Sequence, residues 1–102
     1  YQPPFGLLAT GGSGQVALTW SAMPRWDFLR FVLRRASGST PPATVTDGTG
    51  VTLASDDATS VTISGLAAGT YSYSLFVLYD EKRDGTTSGT SAPQKYRSVV
   101  VT

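Results

Sequence analysis

Apolar and polar residues alternate along most of this chain with the two-residue period of half-buried strands, and no stretch keeps a helical period. From Gln15 to Ser21 the alternation is clean: Val16, Leu18 and Trp20 point one way, Ala17 and Thr19 the other. Before it lies an extended segment opened by Pro3-Pro4, with Leu7 and Ala9 in phase for a core, and then the turn Gly11-Gly12-Ser13-Gly14. Residues 22–27 form a loop, because Pro24 cannot occupy a central ladder position. Phe28 to Arg35 is the third strand. A long turn over residues 36–43 follows, then two weak strands around Thr44–Thr46 and Val51–Leu53, split by Asp47-Gly48.

The most telling run is residues 60–73. Val61 and Ile63 alternate with polar neighbours, Gly65-Leu66 and Gly69-Thr70 make a corner, and Tyr71 opens the longest strand, to Tyr79. A charged loop over residues 80–85 and a loop-like stretch from Thr86 to Pro93 precede a last strand at Tyr96 to Val101. Short strands at regular spacing with polar turns predict an all-β, seven-stranded antiparallel Greek-key β-sandwich of immunoglobulin-like type.

Length and composition narrow this further. At 102 residues the chain is long enough for one two-layer core and too short for two domains. With 40% hydrophobic and 15% charged residues it is globular, and a net charge of +1 gives no basic field for nucleic acid. There is no cysteine for a disulfide or thiolate, no histidine for the commonest base or metal ligand, and no asparagine for N-glycosylation or a Lys–Asn crosslink. No apolar run approaches transmembrane length, and the chain opens on Tyr1 with no signal peptide, so it is expected to be one domain of a longer polypeptide.

Several residues carry the resemblance to a family. Pro4-Phe5-Gly6-Leu7 resembles the Pro-x-x-Leu opening of the fibronectin type III module, and Leu18-Thr19-Trp20 its Leu-x-Trp second strand. Gly65-Leu66 through Thr70-Tyr71 resembles the turn whose leucine plugs the core and whose tyrosine hydroxyl bonds back to the backbone. The resemblance spans the chain, of the divergent type found in bacterial extracellular proteins. Two departures stand out: Ala68 occupies a usual proline position, and Tyr71 follows Thr70 with no residue between them.

The resemblance implies fibronectin type III topology over residues 1–102. It also implies a non-catalytic accessory module of a secreted or cell-surface protein, such as a polysaccharide-active enzyme or an adhesin. Its partners would be the neighbouring domains of its own chain, and in isolation it would be a monomer with no cofactor, metal or membrane insertion.

Two surfaces are candidates for contact. The third and sixth strands are apolar on both faces. If they are neighbours, Phe28, Val32, Phe76 and Leu78, edged by Arg30 and Arg34, make an outer apolar face suited to docking a domain or protein. The competing reading is that the long turn or an edge segment folds over that face. Trp26 with Arg25, Lys82 and Arg83 is the other candidate, a loop site for a sugar ring or a protein anchor, against a tryptophan that merely caps the core.

Asp80, Glu81 and Asp84 suggest a cation site, but Lys82 and Arg83 between them favour a solvated loop. Catalysis has little to work with, since no histidine activates a nucleophile and no phosphate loop or nucleophile elbow appears. Lys82 and Lys95 read as exposed, and Arg-Gly-Asp is absent.

Overall fold

The alternation in Gln15–Thr19 becomes a strand (β2) with Val16 and Leu18 buried, and Trp20 just beyond it buried on the same side. These contacts are seen in a computed structural model that describes residues 4–22, 28–80, 87 and 89–102. Leu8–Gly12 (β1) pairs antiparallel with β2 through a turn in which Gly14 takes φ of 67°, and Ser60–Ile63 (β5) pairs on its other side. The resulting three-stranded sheet has the order β1-β2-β5.

The second sheet is built around Phe28–Ser37 (β3) and Gly69–Tyr79 (β6), whose antiparallel register runs from Phe28↔Tyr79 to Ser37↔Tyr71. Thr49–Val51 (β4) flanks β3, while Gly89–Thr90 (β7) and Gln94–Val101 (β8) both pair with β6. All strand pairs are antiparallel, and there is no helix among the described residues.

Between the sheets lies one core. Val16, Leu18 and Trp20 meet Phe31, Leu33, Tyr73, Leu75, Val77, Val99 and Val101, with Leu7 closing one end. The Trp20 and Phe31 rings meet edge to face at 5.7 Å, the arrangement that the ring quadrupoles favour. Each deeply buried Leu or Val contributes about 1.5–3 kcal/mol by leaving water, so this shared layer holds the sheets together.

At Tyr71, where the sequence leaves the role of the hydroxyl open, it donates to the Ala67 carbonyl at 2.7 Å. The chain closes Thr70-Tyr71 without an intervening residue and the bond still forms. Leu66 packs against the core, and its N–H donates to the Gly14 carbonyl at 3.0 Å.

Along one side the sheets are joined directly. Thr102 N–H donates to the Gly12 carbonyl at 3.1 Å, and the Thr102 carbonyl accepts from Gly14 N–H at 3.0 Å. Some distance along the same two segments, Leu7 N–H donates to Gln94 Oε1 at 3.0 Å. Residues 7 to 14 therefore run alongside 94 to 102 in the same direction, a parallel seam between the first and last strands. Gly11 makes it possible, since a Cβ there would lie 1.8 Å from the Val100 carbonyl oxygen.

Some sequence expectations move. The strand expected at Thr44–Thr46 is a turn, in which Asp47 N–H donates to the Thr44 carbonyl and Thr44 N–H to the Asp47 carboxylate. That side-chain bond offers the backbone a local alternative to a ladder. The strand expected at Val51–Leu53 lies at Thr49–Val51, the last strand starts earlier, at Gln94, and the stretch read as loop contains the short β7.

Candidate functional site

On β6, Tyr73, Leu75 and Val77 face the core, which turns Ser72, Ser74, Phe76 and Leu78 to the outer side of the second sheet. For this face the sequence leaves two readings open, an exposed apolar patch or a face covered by the long turn or an edge segment. Ser72, Ser74 and Phe76 are all buried, Phe76 with 2% of its surface accessible, which agrees with the covered reading over this part of the face.

The segment between β3 and β4 lies across Ser72 and Ser74. Ser72 Oγ donates to the Gly38 carbonyl and Ser74 Oγ to the Pro42 carbonyl, both at 2.6 Å, and Pro41 and Pro42 are themselves buried. Two small serines leave room on the sheet for a crossing chain, and their hydroxyls satisfy carbonyls that burial would otherwise strand.

Arg34, expected to edge the patch, holds the far end of that segment. Its Nε donates to the Asp47 carbonyl at 2.8 Å, and its Nη2 to the carbonyls of Gly48 at 2.9 Å and Thr46 at 3.3 Å. A planar guanidinium with several donors in a rigid fork suits a turn that presents three carbonyls together.

Phe28 is corrected as well. The β3–β6 register shifts between Phe28 and Arg30, so Leu29 is an additional residue and the alternation changes phase there. Phe28 consequently packs against the core, its ring 4.9 Å from that of Phe31. Of the expected face, Arg30, Val32 and Leu78 remain partly exposed. Arg30 Nε lies 4.0 Å from Asp56 Oδ1, a loose pair between well-solvated side chains that contributes little. The other candidate, Arg25, Trp26, Lys82 and Arg83, lies outside the described residues, as do Glu81 and Asp84 of the acidic loop.

One open groove, of about 310 Å³, runs beside the surviving part of the face. The β3–β4 ladder ends at Leu33↔Val51, the chain then bows away from β3, and it returns where Phe31 N–H donates to the Asp56 carbonyl at 3.0 Å. Val32 and Arg34 form one wall, and Gly50 to Leu53, Ser55 and Asp56 the other. The sequence reads Val51–Leu53 as a weak strand and assigns residues 50–56 to no binding site.

Among the described residues, Trp20 Nε1 and the Tyr73 hydroxyl are buried without a hydrogen-bond partner. Burial pushes the Tyr73 phenol up, partly offset by the Arg35 guanidinium, which acts on it electrostatically without hydrogen-bonding geometry. Among the described residues no three histidine, cysteine, aspartate or glutamate side chains cluster as metal ligands would. Compared with known proteins, the chain matches no family model, no curated protein and no solved structure.

Proposed function

We propose that the domain is a fibronectin type III-like Greek-key sandwich acting as a non-catalytic spacer and docking module in a secreted or cell-surface bacterial protein. Strand order supports the topology: β1-β2-β5 faces β4-β3-β6-β8, and β7 counts with β8 as one interrupted seventh strand on the same side of β6. The core position of Trp20 and the Tyr71–Ala67 bond agree with it. The fold alone names no activity, since this architecture carries many roles.

One observation carries the spacer reading. Phe5 lies at the Leu7–Gln94 end of the seam and Thr102 at the Gly12–Gly14 end, so these two residues stand at opposite ends of the seam. Such a module sets a distance between whatever is attached to it.

The absence of cysteine allows a direct test with spin labels on Phe5→Cys and Thr102→Cys. A spacer gives one narrow distribution near 25–30 Å, roughly the rise of eight or nine extended residues. It also stays unchanged when plant and microbial oligosaccharides are added. A broad or short distribution overturns the reading, and so do sugar-induced amide shifts confined to Arg25, Trp26, Lys82 and Arg83.

A further inference from the structure

We propose that the groove between β3 and residues 52–56 is a docking site for a short peptide segment carrying an aspartate or glutamate beside an aliphatic residue, with Arg34 as its charge partner. The proposal stands independently of the spacer reading, since it concerns a side of the sheet and not the chain ends.

Arg34 is the centre of the argument. Three carbonyls already fix its guanidinium through Nε and Nη2, so the side chain is ordered before any ligand arrives. Its Nη1 makes no hydrogen bond among the described residues and lies over Gly50, where a Cβ would come within 2.8 Å of it. A side chain at position 50 would crowd that nitrogen, which the three carbonyl bonds hold in place. No carboxylate forms an ion pair with Arg34 among the described residues, and the groups it bonds are carbonyls. An ordered cation with a free pair of N–H donors is a receptor for a carboxylate, and pre-ordering removes much of the entropy cost of binding.

The rest of the groove selects among carboxylate-bearing ligands. Val32 lies on the same side of β3 as Arg34 and is half-buried, giving an aliphatic contact next to the cation, while Val51 and Leu53 line the groove from the side that packs against the core. Among the described residues lining the groove the one aromatic, Phe31, is buried with 4% of its surface accessible and offers a sugar ring no face to stack on. An acidic side chain beside an aliphatic one matches both halves of the site.

Asp56 also lines the groove, and its charge opposes an anionic ligand, with Arg30 only loosely across from it. Removing that charge should therefore improve binding, an effect that no folding defect can imitate.

The test is amide and Arg34 Nε–H NMR titration of the 102-residue chain with the capped tripeptide Ac-Val-Glu-Leu-NH2, its Ac-Val-Gln-Leu-NH2 counterpart, and trigalacturonic acid. The expected result is localised shifts at Val32, Gly50, Thr52 and Ser55 with the glutamate peptide, weakened several-fold by raising salt to about 0.5 M. Asp56→Asn tightens binding by about three- to fivefold, the scale of one unit charge removed at close range in a water-like medium. Gly50→Ala and Arg34→Lys weaken it by a similar factor or more. Equal shifts from the glutamine peptide, no shifts with either, or no gain in Asp56→Asn overturn the proposal. Tighter binding of trigalacturonate at the same amides overturns it in favour of an acidic saccharide.

Discussion

Ser98 N–H donates to Ser72 Oγ at 3.2 Å, and the bond exists because β8 is bulged where it passes β6. The pairing jumps from Tyr71↔Val99 to Tyr73↔Tyr96, leaving Ser98 with φ of 63° and an amide that no ladder partner can take. The same hydroxyl that accepts this amide donates to the Gly38 carbonyl, so one serine joins the last strand, the central strand and the crossing segment. Ser72→Ala removes both part-buried bonds at once, from the Ser98 amide and to the Gly38 carbonyl. It should lower stability by about 1–2 kcal/mol, read as a fall in the urea midpoint at constant slope.

Ser98→Gly is the complementary change. A left-handed conformation costs a residue with a Cβ about 1–2 kcal/mol, and glycine escapes this at some cost in unfolded-chain entropy. The net expectation is a gain of up to about 1 kcal/mol with an unchanged Ser72 contact, measured by thermal unfolding.

At Gly11 the outcome is set by space. A Cβ placed 1.8 Å from the Val100 carbonyl oxygen forces the first and last strands apart. Gly11→Ala should cost about 1–3 kcal/mol, the usual range for overpacking. Hydrogen exchange should quicken first at Thr102 and Gly14, whose amides are bonded across the seam or beside it.

Tyr73 predicts an alkaline signature. A phenol whose pKa is raised in the fold holds its proton more tightly there than in the unfolded chain. Its contribution to stability is complete below about pH 10 and declines as pH rises beyond that value, because the unfolded chain ionises first. Tyr73→Phe removes a buried hydroxyl that has no partner among the described residues, so it should be neutral or mildly stabilising at pH 7. Above pH 10 its urea midpoint should fall less steeply than that of the parent chain.

How far the sequence could be read depended on the range of the interaction involved. Val16, Leu18 and Trp20, and Tyr73, Leu75 and Val77, face the core as their alternation predicts, because one buried side imposes a strict two-residue phase. Phe28 escapes that rule through a single inserted residue, which periodicity over so short a strand cannot register. Phe76 was assigned to the correct face of the sheet, but alternation does not say what lies over a face. That is decided by hydrogen bonds from Ser72 and Ser74 to residues more than thirty positions away. Arg34 is a similar case, since its charge was visible and the three carbonyls that hold it were not.

The parallel seam between the first and last strands has a mechanical consequence. Tension applied to the chain at Phe5 and Thr102 pulls the two strands in opposite senses along their length. The Leu7–Gln94 bond and the Thr102 bonds to Gly12 and Gly14 are then strained together in shear, with none peeled off ahead of the others. Contacts loaded in parallel share the force, whereas an antiparallel hairpin pulled from its open end surrenders its bonds singly. The glycines that let the strands approach so closely thus set how hard the domain can be pulled before it opens.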